Sequence, residues 1–347
     1  MKKVHVTASG EYDVIIEKGI LKSCGALIGG IFPKGKTVIV SDDKVYSIYG
    51  ETVKKSLEDN GFLVESFVFP NGEASKNVST YTQILEFLAK NQITRSDFIV
   101  ALGGGVTGDM AGFSAATYLR GIKFVQIPTT FLAAIDSSVG GKTGVNLDAG
   151  KNLVGAFHQP SLVICDTDTF KTLDEKTFAD GISEAIKYGM IKEPDLLEKL
   201  AGDFDIDEVV YSCVKIKRDV VAKDEFEHGE RKLLNFGHTI GHGVEKCSNY
   251  QITHGHGVAI GMAIITKAAE EFGICEKGMS QSLNTLLEKC GLPTKCPYST
   301  EELYNVALSD KKRSGDFITV VLPKAQGECI LNTITVTKLL EYIKKGI

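Results

Sequence analysis

Strand-like and helix-like segments alternate along the first half of the chain, and this alternation is the strongest constraint on its fold. Five apolar runs are typical of strands: residues 36–42, 62–70, 97–105, 122–130 and 161–168. Segments with helical spacing, such as Val45–Asp59 and Val78–Lys90, separate several of these runs. Apolar strands that alternate with helices predict a mostly parallel sheet covered on both faces.

The second half has a different pattern, in which helical spacing dominates from about Phe178 onward. The segments with this spacing are Phe178–Ile191, Val209–Asp224, His238–Cys247, His256–Phe272 and Met279–Cys290. A length of 347 residues favours two domains. We therefore predict a Rossmann-like α/β domain over residues 1–177, opened by a short antiparallel hairpin, and a mainly α-helical domain over residues 178–347.

Composition and charge narrow the function classes. The chain is 43% hydrophobic and carries a net charge of -5, which argues against nucleic acid as the main partner. No apolar run is long enough to span a bilayer, and the N-terminus has no apolar signal segment. Its eight cysteines are scattered without a Cys-x-x-Cys pair, which is typical of reduced thiols. These features predict a cytoplasmic protein with no membrane partner.

A glycine-rich turn, "GGGVTGD", follows the third strand-like run. Gly103, Gly105 and Gly108 fit the spacing with which a backbone approaches a pyrophosphate at a helix N-terminus. A tight strand-to-helix crossover is the alternative, because no acidic residue follows about twenty positions later to bind a ribose. Asp109, just inside the helix, either caps it or contacts a ligand.

Residues 134–160 combine five glycines with Lys142 and Lys151. Glycine-rich segments that carry lysines suit the binding of anions, because backbone N–H groups and ammonium groups can converge. The alternative is a twisted hairpin with solvated lysines. We favour a binding site in this segment, whereas His158 alone is better explained by a structural role.

Four of the seven histidines lie between residues 238 and 256. His238 and His242 are four residues apart, on one helix face. Two packed helices can bring His238 and His254 together, and neutral imidazoles suit zinc and similar divalent ions. A carboxylate such as Glu184, three residues before Lys187, can supply a third ligand. The pattern predicts a metal site with an open position.

Taken together, these motifs resemble the 3-dehydroquinate synthases of the sugar-phosphate cyclase superfamily. The matching stretches run in family order and include "GEASK", "GGGVTGD", "TYLRG", "IPTTFLAAIDSSVGGKTGVN", "GISEAIKYG", "LLNFGHTIGH" and "HGHGVAIGM". The resemblance implies a homodimer that binds NAD+ and one zinc or cobalt ion. It implies that 3-deoxy-arabino-heptulosonate 7-phosphate, an anionic sugar phosphate, is converted to 3-dehydroquinate and phosphate by oxidation, elimination, re-reduction, ring opening and aldol closure.

The resemblance also implies roles for particular residues. The implied metal ligands are Glu184, His238 and His254. The implied catalytic residues are Asp136, Lys142, Lys187, Lys217, Asn235 and His242. The implied substrate contacts are Arg120, Asn152, Lys187, Lys217, Arg231, Asn235, His242 and Lys311. The implied NAD contacts are Asp42, Glu73, Lys76, Gly104, Gly105, Asp109, Thr129, Thr130, Lys142, Lys151, Thr169, Phe170, Lys171 and Thr172.

One position departs from the family pattern. The family commonly has a carboxylate two residues after the last metal-binding histidine, and this chain has His256 there. The departure leaves the three metal ligands intact but changes their surroundings. The family match does not separate Lys311 from its neighbour Lys312 as the substrate contact.

Three other functions compete with this prediction. A sister cyclase acting on glucose 6-phosphate or sedoheptulose 7-phosphate would keep the NAD and metal sites, but Lys217, Arg231 and Asn235 match the dehydroquinate branch. A metal-dependent polyol dehydrogenase shares the architecture, but its uncharged substrate needs no such set of cations. A non-catalytic binding protein with the same fold is the third alternative, because fold alone does not establish activity.

Overall fold

The computed structural model describes residues 1–307 and 313–347. Its strands are β1 (Lys2–Thr7), β2 (Glu11–Ile16), β3 (Lys36–Asp42), β4 (Leu63–Phe69), β5 (Phe98–Gly103), β6 (Lys123–Pro128), β7 (Lys142–Leu147), β8 (Gly150–Phe157), β9 (Leu162–Cys165), β10 (Arg313–Ser314), β11 (Phe317–Ala325) and β12 (Glu328–Thr335). Its α-helices are α1 (Cys24–Gly29), α2 (Asp43–Val45), α3 (Glu51–Asp59), α4 (Val78–Lys90), α5 (Gly105–Thr117), α6 (Glu175–Ile191), α7 (Asp195–Ala201), α8 (Ile206–Lys223), α9 (His238–Cys247), α10 (His254–Glu271), α11 (Met279–Lys289), α12 (Thr300–Ala307) and α13 (Val336–Gly346).

These elements form two compact units. The first comprises Met1–Leu173 and Ile206–Phe226, and the second comprises Asp174–Asp205 and Glu227–Ile347. Helix α8 therefore groups with the first unit, whereas the sequence analysis assigned every residue from 178 onward to the second domain. The functions predicted for the two domains stay predictions at this point.

A seven-stranded sheet forms the centre of the first unit, in the order β1-β2-β9-β6-β5-β3-β4. Every neighbouring pair is parallel except β1 and β2, which form an antiparallel hairpin at one edge. The predicted mostly parallel sheet is confirmed. The chain runs from β3 outward to β4 and then returns to β5 on the other side of β3. The strand order thus reverses between β3 and β5, which is where ligands bind in open sheets of this kind.

Helices cover both faces of this sheet. All six residues of β5 are buried. Phe98, Val100 and Leu102 join a core with residues of α1 and α3, whereas Ile99 and Ala101 join a second core with residues of α4 and α5. Burial on both faces explains why the strands are continuous apolar runs without polar alternation.

Residues 142–157 form an antiparallel hairpin of β7 and β8, in which Lys142 pairs with Phe157. A binding segment and a hairpin were the alternatives predicted for these residues, and the backbone here is a hairpin. Val145 and Val154 pack into the core that contains α4 and α5. The hairpin is thereby fixed to the sheet, so its lysines and asparagines have defined positions.

Helix α10 lies at the centre of the second unit, where residues such as Val258, Met262 and Ile265 are buried. Helices α6, α9, α11 and α13 pack against it. The described strands of this unit form a small antiparallel sheet in the order β10-β11-β12. This arrangement places the first turns of α9 and α10, which carry the histidines, next to the middle of α6.

Each of the eight cysteines lies in the described part of the chain, and none forms a disulfide. Burial raises the pKa of Cys24 to about 11 and the pKa of Cys329 to about 12. These thiols stay protonated near neutral pH and serve as packing groups. Among the helices of residues 1–307 and 313–347, none combines the length and the apolar character that crossing a bilayer requires.

Candidate active site

Three side chains from three helices of the second unit converge on one point. Glu184 lies in α6, His238 is the first residue of α9 and His254 is the first residue of α10. Nε2 of His238 lies 3.5 Å, and Nε2 of His254 lies 3.4 Å, from Oε1 of Glu184. One possible ligand atom from each of the three lies within 4.8 Å of the others. The residues that the sequence analysis named as metal ligands are therefore brought together.

Hydrogen bonds behind the triad determine which ring nitrogens face inward. Nδ1 of His238 donates to the carbonyl of Phe236 (3.0 Å), and Nδ1 of His254 donates to Oε1 of Glu245 (2.9 Å). With Nδ1 as the hydrogen-bond donor, Nε2 of each ring is the atom that faces Glu184, and a neutral imidazole carries its lone pair there. Oε1 of Glu184 is buried and accepts no hydrogen bond from the described residues. Lone pairs that face one another are unfavourable without a cation, so this donor set fits a divalent metal ion.

His242 borders the triad from the next turn of α9. Its ring centroid lies 5.5 Å from that of His238 and 5.8 Å from that of His254. His242, Glu245 and His254 form a second group with metal-ligand spacing. Because Nδ1 of His254 already donates to Glu245, it has no lone pair for a metal on that side. The first triad is therefore the better site, and three protein ligands leave the open position typical of a catalytic metal.

The two carboxylates next to His254 change its affinity for protons. Burial lowers the pKa of His254, but the adjacent carboxylates of Glu184 and Glu245 outweigh burial and raise it to about 10. The negative charges of Glu184 and Glu245 thus favour a positive charge at His254. A divalent ion at Nε2 would replace the proton there, because both compensate the same carboxylates.

Four glycines allow α9 and α10 to pack at backbone contact. Gly237 and Gly241 face Gly257 and Gly261, and each pair is spaced by four residues. A Cβ atom on Gly261 would lie only 2.0 Å from the carbonyl oxygen of Gly237. This close approach is what lets His238 and His254 reach the same point. This close approach was not predicted from the sequence, although two Gly-x-x-x-Gly patterns flank the histidines and could have indicated it.

Lys187 lies one turn after Glu184 on α6, as the spacing predicted. Its side chain is 1% exposed, its ammonium contacts Oε2 of Glu184, and it lies 4.9 Å from the ring centroid of Tyr188. The opposite charges of a buried lysine and a buried carboxylate compensate each other. The pair places a fixed cation beside the metal triad.

In the first unit, an open helix N-terminus lies where the strand order reverses. Gly104 is the N-cap of α5, no side chain caps this helix, and its first turn carries no acidic residue. Asp42, at the end of β3, caps α2 by accepting a hydrogen bond from Val45 N. Thr129 follows β6, and its N–H donates to Gly103 O. The N–H groups in the first turn of α5 and its positive dipole end suit a phosphate group.

A hydrogen-bonded cluster lies in the same unit and links the β7–β8 hairpin to α5. Lys76 is buried, and its Nζ donates to Oδ2 of Asp109 (2.6 Å) and to Oδ1 of Asn152 (2.7 Å). Asn146 links Asn152 to Glu73 through two further hydrogen bonds. Burial raises the pKa of Asp109, and the charge of Lys76 opposes that rise.

Several predicted NAD contacts therefore meet. Lys151 Nζ lies 4.0 Å from Glu73 Oε1, so Glu73, Lys76, Asp109 and Lys151 belong to one connected group. Asn152, which the sequence analysis counted as a substrate contact, belongs to the same group. Asn152 has a φ of 54°, a left-handed conformation that asparagine adopts more readily than most residues.

Lys217, on α8, bonds to Asp136 of the short helical segment Ala133–Ser137. Its ammonium contacts both the carboxylate and the backbone carbonyl of Asp136. Both residues were predicted site residues, and the structure pairs them. Lys142, at the start of β7, is exposed. Lys217 belongs to the first unit because α8, which carries it, packs there.

The segment from Thr167 to Thr172 is a short 3-10 turn. Tyr49 Oη donates to Thr169 O (3.1 Å) and lies 2.8 Å from Thr172 Oγ1. Phe170 is buried, and Lys171 is mostly exposed and pairs with Asp168. Contacts of this segment with NAD were predicted, but Tyr49, whose hydroxyl holds the segment in place, was not.

The remaining predicted substrate contacts are dispersed. In the second unit, Arg231 is 1% exposed and Asn235 Nδ2 donates to Glu227 Oε1 (2.6 Å). In the first unit, Arg120 is exposed and has a φ of 67°. Lys311 lies outside the described residues. Glu227 and Glu245 were missed; Glu245 follows His238 by seven residues and His242 by three, so its place on the same face of α9 was readable from helical spacing.

Comparison with solved structures defines the class. The chain resembles 2-deoxy-scyllo-inosose synthase, crystallised with carbaglucose-6-phosphate, NAD+ and Co2+, at 27% identity and a TM-score of 0.87, with all of both chains covered. It resembles 2-epi-5-epi-valiolone synthase from Streptomyces hygroscopicus subsp. jinggangensis 5008, with NAD+ and Zn2+ bound, at 26% identity and a TM-score of 0.88 over 99% of both chains. Glycerol dehydrogenase from Schizosaccharomyces pombe, at 15% identity and a TM-score of 0.65, shares the fold alone. By fold, the chain is of the sugar-phosphate cyclase class.

Comparison of sequences defines the family within this class. Models of the N-terminal and C-terminal parts of 3-dehydroquinate synthase match residues 66–180 and 181–313. The 3-dehydroquinate synthase of Streptococcus suis (strain 05ZYH33) is 46% identical over 343 residues, covering 96% of this chain and 97% of the relative. That of Clostridium acetobutylicum is 45% identical over 342 residues, covering 96% of each chain. The chain belongs to the 3-dehydroquinate synthase family.

Proposed function

We propose that this chain is a 3-dehydroquinate synthase, an enzyme of the shikimate pathway that uses NAD+ and one divalent metal ion, zinc or cobalt. Its substrate is 3-deoxy-arabino-heptulosonate 7-phosphate, and its products are 3-dehydroquinate and phosphate. The observation that carries the proposal is the convergence of Glu184, His238 and His254 in a chain of this family. Family membership supports the reaction, and the donor set supports the metal.

The NAD+ site is proposed on the first unit. The N-terminus of α5, which no side chain caps, lies where the strand order reverses between β3 and β5 and suits a pyrophosphate. Asp42 lies at the end of β3. The cluster of Glu73, Lys76, Asp109 and Lys151 supplies polar groups nearby in the same unit. When bound, NAD+ would supply reversible hydride transfer at a secondary alcohol of the substrate, and the residues named here would hold and orient it.

The metal site is proposed on the second unit. When bound, the divalent ion supplies Lewis-acid chemistry that acidifies a substrate hydroxyl. Glu245 and the Phe236 carbonyl hold the Nδ1 protons of His254 and His238, and so keep both Nε2 atoms available. Lys187 balances the charge of Glu184 from the other oxygen.

Buried cations of the second unit are suited to the anionic groups of the substrate. Arg231 is suited to a carboxylate or phosphate because its guanidinium is planar and cannot lose its charge. Lys187 supplies a point charge in the same unit. Lys217, which is paired with Asp136 in the first unit, remains a predicted substrate contact. His242 lies one turn from the triad, where it can hold or transfer a proton at a ring nitrogen. Arg120, Asn152, Asn235 and Lys311 remain predicted substrate contacts, and Lys142 remains a predicted proton donor or acceptor.

We expect replacement of Lys76 by methionine to weaken NAD+ binding about 10- to 100-fold, the effect of losing two charge-assisted hydrogen bonds. The change leaves Asp109 and Asn152 without the ammonium that holds them together. Isothermal titration calorimetry with NAD+ measures the effect. Lys90→Met, at the exposed end of α4, is the control and should leave affinity unchanged. NAD+ affinity in Lys76→Met equal to that of the control would remove this cluster from the cofactor site.

A comparison of substrates tests the proposed function. Phosphate release is measured with 3-deoxy-arabino-heptulosonate 7-phosphate, sedoheptulose 7-phosphate and glucose 6-phosphate, each with NAD+ and zinc. The last two lack a carboxylate, and a site built to pair a buried cation with an anion rejects a substrate without it. We expect kcat/KM for the first to be higher by roughly a thousandfold or more. A preference for either of the other two would assign the chain to a sister cyclase.

The homodimer and the cytoplasmic location are also proposed, on family membership. Light scattering coupled to size-exclusion chromatography should give twice the mass of one chain, and a single-chain mass would contradict the dimer.

A further inference from the structure

The start of α10 is held by a single carboxylate of α6. Oδ1 of Asp180 accepts three hydrogen bonds from this region: from Thr253 Oγ1 (2.7 Å), from the backbone N–H of His256 (3.0 Å) and from His256 Nδ1 (2.8 Å). The side chains of Asp180 and His256 are 12% and 16% exposed. No side-chain oxygen of Thr253, the N-cap residue, caps this helix. Asp180 therefore acts as the cap from another helix.

The backbones of α10 and α6 are in close contact at the same place. A Cβ atom on Gly255 would lie 2.3 Å from Cα of Asp180 and 2.5 Å from its carbonyl oxygen. Gly255 stands between His254 and His256, so the first turn of α10 is pressed against the backbone of α6. Asp180 also precedes Glu184 by one helical turn. The hydrogen bonds of Asp180 thus lie within one helical turn of Glu184 on α6 and of His254 on α10, two of the three proposed metal ligands.

Asp180 and His256 are chemically matched to each other. An imidazole can donate from Nδ1 to a carboxylate, whereas a glutamate at this position would place a second carboxylate against Asp180. His256 on α10 and Asp180 on α6 are therefore complementary. Repulsion between Asp180 and a glutamate at position 256 would push α10 away from α6.

We infer that Asp180 is a positioning residue for the metal centre and that His256 is its matched partner, the two together fixing His254 against Glu184. The inference rests on the proposed metal function of the triad. Outer groups that orient metal ligands are worth about 10- to 100-fold in metal affinity. A disturbance of this pair should change metal affinity while leaving all three ligands in the sequence.

The experiment measures zinc affinity by competition with a chelating dye, together with the visible absorption spectrum of the Co2+ form, in the absence of substrate. We expect His256→Glu to weaken zinc binding about 10- to 100-fold and to alter the Co2+ spectrum. The double variant Asp180→Asn, His256→Glu should restore affinity to within about threefold, because the asparagine NH2 can donate to the new carboxylate. Asp195→Asn, an exposed carboxylate of α7, is the matched control.

Two further measurements distinguish a loss of folding or of the metal triad from a loss of the Asp180–His256 pairing. Circular dichroism of the metal-free variants tests folding, and Glu184→Gln tests the triad itself. Unchanged affinity in His256→Glu together with a large loss in Glu184→Gln would overturn the pairing. A double variant that binds zinc no better than His256→Glu would also overturn it. Unchanged affinity in Glu184→Gln would instead overturn the metal centre, and with it the proposed function.

Discussion

Replacement of Glu184 by glutamine is expected to lower kcat by roughly a thousandfold or more and to release the metal. Glutamine keeps the shape of the side chain but removes its charge. The two inward Nε2 lone pairs of His238 and His254 then face a neutral amide, and Lys187 loses its buried counterion. A buried cation without its partner also repels an incoming metal ion. Turnover with saturating zinc and metal content after dialysis measure both effects.

Glu175→Gln is the control for this prediction. Glu175 is exposed in the first turn of the same helix, so its replacement removes the same charge from α6 without touching the triad. We expect its activity and metal content to equal those of the unaltered chain. A Glu184→Gln variant that retained full metal content and turnover would show that the metal, if used, binds elsewhere.

Replacement of Gly261 by alanine is expected to have the second largest effect. The new Cβ would lie 2.0 Å from the carbonyl oxygen of Gly237, a distance that real Cβ atoms do not tolerate. Helices α9 and α10 must then separate, which moves His238 away from His254. We expect a loss of about 1–3 kcal/mol or more in the free energy of unfolding and a loss of most zinc binding. Denaturant unfolding of the metal-free protein and chelator competition measure the two effects.

Gly243→Ala provides a matched control on α9. A Cβ at this position would meet Leu303 Cδ2 at 3.6 Å, an ordinary van der Waals contact. Alanine is also the better helix former by about 1 kcal/mol. We therefore expect unchanged zinc affinity and equal or higher stability in this variant. If Gly261→Ala behaved in the same way, close packing of the two helices would not be what assembles the triad.

The alternation of strands and helices was enough to predict the α/β sheet. Every residue of β5 is buried, and buried parallel strands are apolar throughout, so their signal is strong. The assignment of α8 was not readable in the same way. Its helical spacing is visible from Val209 onward, but spacing does not tell which unit a helix packs against. That α8 packs in the first unit depends on tertiary contacts, which the local sequence does not encode.

In the candidate site, too, some residues could be predicted from the sequence and others could not. Resemblance and helical spacing supplied Glu184, His238 and His254 as a set. They did not supply Asp180, because one carboxylate that caps a different helix leaves no periodic pattern. Nor did they show that Asn152 and Lys76 are bonded to each other, since 76 residues separate them. Contacts of this length are made by the folded chain, and only the structure reveals them.

The most direct test of the central claim follows phosphate release and NADH absorbance in one reaction. Purified protein is mixed with NAD+, zinc and 3-deoxy-arabino-heptulosonate 7-phosphate, and the reaction is repeated after treatment with a chelator. We expect steady phosphate release without net NADH, and we expect this release to stop when the chelator removes the metal. No phosphate release, with NADH accumulating on simple polyols, would contradict the proposed function and assign the chain to the metal-dependent dehydrogenases.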